Sequence, residues 1–133
     1  MSTPKSLKNI RENRFDDIFE ETIQDMKNLG TYKQEFSPVI TRYAEMRVQF
    51  EILMDQWYRG GCKITEKYTN KSGATNNRKT ALYQAIETLR KEITEIENLL
   101  GLTPAGLKKI KTKELESKKR SILAEALKSL EIE

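Results

Sequence analysis

The chain has 133 residues, 33% of them charged and 37% hydrophobic, with a formal net charge of +4, which suits one domain with a modest core. It contains no histidine and one cysteine, which excludes histidine-dependent catalysis, histidine-ligated zinc and an intrachain disulfide. The sequence shows no catalytic constellation, phosphate-binding loop, signal peptide or apolar run of transmembrane length. We therefore predict an intracellular protein that is not an enzyme and has no metal, cofactor or membrane contact.

The first thirteen residues are polar, and we predict a flexible segment over residues 1–13. Apolar side chains then recur at helical spacing from Phe15 onwards. This spacing predicts a helix from Arg14 to Leu29, which Gly30 ends.

A second helix is predicted to begin at Ser37-Pro38, with the serine as N-cap and the proline at the first helical position. Gly60-Gly61 ends it. Apolar residues within it alternate in steps of four and three: Val39, Tyr43, Met46, Phe50, Leu53 and Trp57. This spacing favours packing against another helix. It also makes base stacking by these aromatic rings the weaker interpretation, whereas Tyr58 lies outside the seam.

The segment between the long helices alternates partly from Cys62 to Tyr68 and is rich in turn residues from Asn70 to Gly73. Such a pattern predicts a short β-hairpin or an irregular loop. Asn76 or Asn77 is then expected to cap the next helix.

A third helix carries the most regular apolar seam of the chain. Its members again alternate in steps of four and three: Leu82, Ile86, Leu89, Ile93, Ile96 and Leu100. A chain of this size is too small to bury two such seams fully, so we predict that these six residues take part in oligomerisation.

A tight corner follows Leu100. Gly101 can adopt the left-handed conformation that closes a helix, and Leu102 can fold back onto the last turn. Thr103 is a good N-cap, and Pro104 suits the first position of a new helix.

Beyond the corner, we predict a short helix to about Ile110 and a second helix from Lys113 to Leu130. The second helix places Leu115, Ile122, Leu123, Leu127 and Leu130 on one face. We interpret residues 111–133 as a helix that docks on a partner, since such a stripe suits a groove on another protein. Packing of the stripe on an oligomer of the chain itself is almost as well supported.

Positive charge is concentrated in two segments. Residues 59–80 and residues 108–120 each carry a net charge of +5, so the rest of the chain carries −6. Such clusters are suited to phosphate contacts, although lysines that serve only solubility explain the charge equally well. The predicted DNA-binding residues are Arg59, Lys63, Lys67, Lys71, Arg78, Lys79, Lys108, Lys109 and Lys111.

The segment from Leu99 to Lys108, which reads Leu-Leu-Gly-Leu-Thr-Pro-Ala-Gly-Leu-Lys, resembles the hallmark of a family of tailed-phage terminase small subunits. The upstream Tyr43-Ala44 pair and the glycine break with its inserted hairpin are also similar, and the resemblance covers Ser37 to Ile110. The family opens the long helix with Asn-Pro, where this chain has Asn76-Asn77. It places an arginine after two small residues, where Lys108 is the equivalent here.

The resemblance implies a non-enzymatic component of DNA packaging in the host cytoplasm. Its partners would be double-stranded viral DNA at the packaging site, the large subunit with its ATPase and nuclease activities, and further copies of itself in a ring of about eight to ten. The expected fold is mainly α: an antiparallel pair of long helices with a short inserted β-hairpin or loop, assembling into a ring, with residues 14–110 as the core for oligomerisation and DNA recognition. A helical adaptor or coiled-coil protein without a DNA role, and a small transcription regulator, are the alternative functions.

Overall fold

The computed structural model describes residues 4–132. Over this range the chain forms four α-helices, one 3-10 turn and one two-stranded antiparallel sheet. The helices are α1 (Pro4–Leu29), α2 (Ser37–Arg59), α3 (Ala81–Leu100) and α4 (Pro104–Ile132), and the strands are β1 (Thr65–Thr69) and β2 (Thr75–Lys79). The prediction of a mainly α fold with a hairpin between the long helices is confirmed, and no described helix is long and apolar enough to cross a membrane.

Helix α2 is the central layer, because it packs against α3 on one side and α1 on the other. Towards α3, its buried Tyr43 lies in a cluster with Leu89 and Ile93. Towards α1, its Ala44 and Val48 enclose Ile18, and these three side chains form a second cluster. The antiparallel pair of α2 and α3 is therefore confirmed, and α1 adds a third antiparallel helix to it.

The seam on α3 finds its packing partner within the same chain. Four of its six members are buried and the other two, Leu82 and Ile96, are partly buried. The four buried members are Ile86, Leu89, Ile93 and Leu100. Side chains that are already buried against α1 and α2 cannot also contact a second copy unless the core opens. These four residues therefore belong to the core of the chain itself, whereas Leu82 and Ile96 keep part of their surface open.

Helix α1 begins ten residues before the predicted start at Arg14. Pro4 suits a first turn, where its missing N–H costs no hydrogen bond. An ion pair between Lys8 and Glu12, at 3.9 Å, supports the polar first half at the i,i+4 spacing. The predicted flexible segment therefore lies mostly within α1, except for residues 1–3, which are outside the described residues.

The structure corrects two predicted helix caps. Ser37 is already inside α2, because a 3-10 turn at Gln34–Phe36 leads directly into it and leaves Phe36 at the N-cap position. Asn76 and Asn77 are strand residues of β2, and the cap of α3 is Thr80, whose Oγ1 accepts a hydrogen bond from the Tyr83 backbone N–H at 3.1 Å. The asparagines cannot cap α3 because strand pairing continues to the end of β2.

The corner after α3 has the predicted geometry. Gly101 has φ 74°, and the N–H groups of Gly101 and Leu102 donate to the Asn98 and Glu97 carbonyls at 3.2 and 2.9 Å. This pair of hydrogen bonds is the Schellman motif. Thr103 Oγ1 accepts from the Gly106 N–H at 3.0 Å and so caps α4, as predicted.

The predicted break near Lys111 does not occur, and α4 is one helix to Ile132. No glycine or proline interrupts it there, and Thr112 Oγ1 donates to the Lys108 carbonyl at 2.8 Å within the helix. Every residue from Lys111 to Glu131 is exposed. At 1.5 Å per residue, about 30 Å of helix therefore projects from the three-helix body.

Candidate nucleic-acid interface

The β-hairpin is fixed at its base and exposed along its whole length. Trp57 Nε1 donates to the Lys63 carbonyl and the Thr80 N–H donates to the Ile64 carbonyl, both at 3.0 Å. The Trp57 ring lies 6.0 Å from the Tyr83 ring. All ten strand residues are exposed. The hairpin therefore projects from the ends of α2 and α3 as a solvated ribbon.

The tip of the hairpin is ordered by Asn70. Its side-chain oxygen accepts hydrogen bonds from the backbone N–H groups of Ser72 and Ala74 at 3.1 and 3.0 Å. Gly73 has φ 86°, a left-handed conformation that suits glycine. This turn holds Lys71 at the outermost point of the ribbon, where its side chain is exposed.

The strand register divides the hairpin's basic residues between two faces. Lys67 lies opposite Asn77, and Thr65 lies opposite Lys79, so these four side chains share one face with the Thr69–Thr75 pair. We call this the Lys67 face, and none of its strand residues is acidic. The other face carries Arg78 opposite Glu66, and Tyr68 opposite Asn76. The alternation predicted from Cys62 to Tyr68 is therefore confirmed within β1, from Thr65 to Tyr68.

Three of the six predicted cations of residues 59–80 are engaged with carboxylates of the chain. These pairs are Arg59 with Asp55 at 3.0 Å, Arg78 with Glu66 at 3.0 Å, and Lys79 with Glu87 at 2.9 Å. The Arg78 guanidinium also lies 4.1 Å from the centre of the Tyr68 ring. Within residues 4–132, Lys63, Lys67 and Lys71 have no carboxylate within 4.0 Å, so they are the cations most available to a phosphate.

The second predicted group, Lys108, Lys109 and Lys111, is exposed on the first turns of α4. It follows the corner at the far end of α3 from the hairpin. Since α3 has 20 residues, about 30 Å of helix separates the two basic groups. The structure does not bring them together into one patch within a single chain.

The aromatic residues in the seam of α2 are packing residues, as their spacing predicted, whereas Tyr58 lies outside the seam. Tyr43 is buried, Phe50 and Trp57 are partly buried, and Tyr58 is 62% exposed. The sequence interpretation did not single out Tyr68, which is 43% exposed beneath Arg78. Alternation within each strand does not show which residues of β1 and β2 are neighbours, so the contact between Tyr68 and Arg78 could be found only from the register.

Tyr43 joins α2 to α3 through a buried hydroxyl. It donates to Glu97 Oε2 at 2.8 Å and accepts from Arg47 Nη1 at 3.0 Å. Burial, and then the hydrogen bond to Glu97, raise the pKa of Tyr43 to about 12. The phenol therefore stays protonated at neutral pH and acts as a structural bridge. Within residues 4–132, no group of three or more histidine, cysteine or acidic side chains is placed to hold a metal.

The chain was compared with protein families, curated proteins and solved structures. A family model described as "Phage terminase, small subunit" matches residues 16–117. No curated protein and no solved structure matches the chain. The matched range includes the corner, the hairpin and both predicted basic groups, and the chain belongs to the family of phage terminase small subunits.

Proposed function

We propose that this chain binds double-stranded viral DNA at the packaging site and regulates the large terminase subunit during packaging in the host cytoplasm. Family membership supports the role in phage DNA packaging. Small subunits of this kind are generally non-catalytic regulators, whereas the ATPase and nuclease belong to the large subunit. We further propose that the chain works as a homo-oligomeric ring of about eight to ten copies.

The observation that carries the DNA-binding proposal is the hairpin. It is a two-stranded ribbon with exposed residues, an ordered tip, and three lysines that no carboxylate of residues 4–132 engages. The major groove of B-DNA admits a two-stranded β-ribbon. Lys63, Lys67 and Lys71 lie before the ribbon, along it and at its tip, which suits contacts with phosphates at separate points along the groove.

The ion-paired cations contribute less in this proposal. Arg59, Arg78 and Lys79 would have to exchange a carboxylate for a phosphate, and exposed ion pairs are weak enough to permit this. Asn77 adds an amide to the Lys67 face, and an amide can hydrogen-bond to a base edge. Each contact is weak, and a ring multiplies them by presenting many hairpins to one DNA molecule.

The test neutralises the three free lysines together in the full-length chain. We expect Lys63→Ala/Lys67→Ala/Lys71→Ala to lower affinity for duplex DNA from the viral packaging region at least tenfold. The logarithmic salt slope of binding should fall by about three, roughly one for each lost phosphate contact. Fluorescence anisotropy over a range of salt concentrations measures both quantities.

The matched control removes the same charge elsewhere. Lys33, Arg42 and Lys91 are exposed, lie outside both predicted groups, and have no carboxylate within 4.0 Å among the described residues. We expect the triple alanine variant at these positions to change affinity less than threefold and to keep the salt slope. Equal losses of affinity in both variants would mean that only net charge matters. An unchanged affinity of the hairpin variant would show that the hairpin does not contact DNA.

The group on α4 is tested separately, because it lies at the other end of α3. We propose Lys108, Lys109 and Lys111 as a second set of phosphate contacts. Adding Lys108→Ala/Lys109→Ala to the hairpin variant should lower the salt slope again. If both groups are neutralised and neither affinity nor slope changes, the chain is better described as a helical adaptor without a DNA role.

A further inference from the structure

Helix α4 carries an apolar stripe that the described part of the chain leaves exposed. The stripe consists of Ile122, Leu123, Leu127 and Leu130, which are 54–69% exposed. These positions repeat at helical spacing and lie on one side of the helix. Most of the stability of a helix in a protein comes from packing of its apolar face, and an exposed apolar stripe commonly marks a contact surface, so we look for a surface that could bury this one.

A second open surface of the described residues lies between the first half of α1 and the second half of α2, where Ile10, Phe15, Val48 and Ile52 lie among charged and polar side chains. Two adjoining hollows of about 780 and 460 Å³ share Arg11, Val48 and Ile52. Ile10 and Ile52, at 58% and 44% exposure, are the most open apolar side chains lining them. We call this surface the α1–α2 groove.

The stripe and the groove match in length. From Ile122 to Leu130 the stripe spans about 12 Å at 1.5 Å per residue. The α1 side of the groove, from Lys8 to Asp16, spans the same distance by the same measure. The four apolar side chains of the stripe could therefore lie along the whole groove.

The charges beside the groove and those before the stripe are complementary when α4 runs antiparallel to α1. Asp16 and Glu45, at one end of the groove, have no cation within 4.0 Å among the side chains of residues 8–131. The residues that precede the stripe, Lys118, Lys119 and Arg120, have no carboxylate within the same limit in that range. If these cations faced Asp16 and Glu45, α4 would run antiparallel to α1 and bring its apolar stripe to Ile10 and Ile52.

A chain cannot fill its own groove without breaking α4. The helix starts at the corner, where Thr31 Oγ1 donates to the Leu100 carbonyl at 3.3 Å, beside the C-terminal end of α1. The groove lies around the N-terminal half of α1, at the opposite end of the body. Since α4 is continuous to Ile132 and leaves the body at Lys111, the occupant has to come from elsewhere.

We propose that copies of this chain exchange α4: the stripe of one copy packs in the α1–α2 groove of the next, antiparallel to α1. The two surfaces are different patches of the molecule, so the contact is heterologous, and successive contacts close into a ring when the rotation permits. This inference rests on the proposed homo-oligomer and names the residues that hold it together.

The first test places charge on the stripe of the full-length chain. We expect Leu123→Asp/Leu127→Asp to reduce the wild-type oligomer to monomers at about 10 μM, a concentration at which micromolar or tighter association is seen, as measured by sedimentation velocity. Ile10→Asp/Ile52→Asp, in the groove, should do the same. Because both variants remove the same contact, combining all four substitutions should weaken association little further than either pair alone.

The matched control is Ser117→Asp/Ser121→Asp. It adds two aspartates to the same helix on its far side, at 100° per residue. The control should retain the wild-type oligomer, and circular dichroism should show equal helix content in both α4 variants. If the stripe variant keeps the oligomer, the exchange is wrong. If it keeps the oligomer but loses association with the large subunit, the stripe serves that partner instead.

The second test detects the exchanged contact directly. In a Cys62→Ser background, one tagged chain carries Ile52→Cys and a second, differently tagged chain carries Leu127→Cys. Mild oxidation of the mixed oligomer should give a disulfide-linked pair that contains both tags, and Ser121→Cys in place of Leu127→Cys should not. The absence of the mixed pair from an intact oligomer overturns the exchange, whereas a monomeric wild type overturns the proposed homo-oligomer itself.

Discussion

Gly106 lies directly against the backbone of α3. A Cβ atom at this position would stand 2.8 Å from Asn98 Cα and would overlap the Asn98 carbonyl oxygen. These atoms belong to the backbone of α3, so they cannot rotate away as a flexible side chain would. The small residue that the family resemblance places after the proline therefore has a physical reason in this chain, which is the contact between the two helices at the corner.

We expect Gly106→Ala to lower the free energy of unfolding by about 1–3 kcal/mol, the usual cost of overpacking. The sign of this change distinguishes overpacking from helix propensity, because alanine at a helical position is otherwise favoured over glycine by about 1 kcal/mol. Urea denaturation measures the change. Ala105→Ser, at the exposed neighbouring position, is the control and should stay within about 0.5 kcal/mol of wild type. A stabilised Gly106→Ala chain would show that α4 can move away from α3 at no cost.

The ion pair between Arg14 and Glu51 makes stability depend on pH. Arg14 Nη2 and Nε donate to the two oxygens of Glu51 at 2.6 and 3.0 Å, and this hydrogen bonding lowers the pKa of Glu51 from its ordinary value of 4.5. A carboxyl group whose pKa is lower in the folded chain adds stability above the unfolded value. That contribution is lost as the pH falls through the lowered pKa.

We therefore expect Glu51→Gln to be less stable than wild type at pH 7 and to approach wild-type stability below about pH 4. Both side chains are more than a third exposed, so solvent screening limits the difference at pH 7 to about 0.5–1 kcal/mol. Urea denaturation at pH 7 and pH 3 measures it. Glu20→Gln, on an exposed carboxylate of α1 with no cation within 4.0 Å among the described residues, is the control. A difference between wild type and Glu51→Gln that is the same at both pH values would assign the effect to packing.

At the scale of the elements, apolar periodicity predicted the helices that pack through a regular seam of apolar side chains. It identified α2 and α3, and the glycine, threonine and proline of the corner predicted how α3 ends and α4 begins. Periodicity could not locate the start of α1, since residues 8–13 are exposed and have no core-facing pattern. It also missed the second buried face of α2, because Ala44 is a small side chain that marks a close helix contact without adding to an apolar repeat.

The hairpin shows which parts of a candidate site depend on tertiary structure. Counting charges was enough to identify its lysines, and the turn residues indicated its tip. The ion pairs of Arg59 and Lys79 involve Asp55 and Glu87, which belong to the helices on either side. Helical spacing could have found the first pair, because Asp55 lies four residues before Arg59 in α2. The pair of Lys79 with Glu87 joins β2 to α3, and the pair of Arg78 with Glu66 crosses the two strands, so both depend on tertiary structure. The cap of α3 was missed because strand pairing, a property of the folded hairpin, extends past the two asparagines.

At the scale of the whole molecule, the chain consists of a three-helix body with two projecting elements, the hairpin and α4. The body contains all the buried side chains of α1, α2 and α3, and it ends at a capped corner. Because no side chain from Lys111 to Glu131 is buried, the body should not depend on them for folding. In the proposed assembly, the hairpin contacts DNA and α4 contacts the next copy, so losing one function should leave the other measurable.

A chain that ends at Thr112 separates these roles. We expect it to fold, since it keeps the corner, and to bind DNA through its hairpin with single-copy affinity, without the gain from a ring. Its melting temperature should not change with protein concentration, whereas that of the full-length oligomer should rise with concentration because association stabilises the folded state. Differential scanning calorimetry at about 5 and about 200 μM, concentrations within the range of micromolar association, measures both melting temperatures.

The full-length Ser117→Asp/Ser121→Asp chain is the control and should behave as wild type. If the shortened chain still forms the full oligomer, the surface between copies lies on the three-helix body and α4 is free for another partner; if it fails to fold, α4 stabilises its own chain through contacts that its exposed side chains do not show.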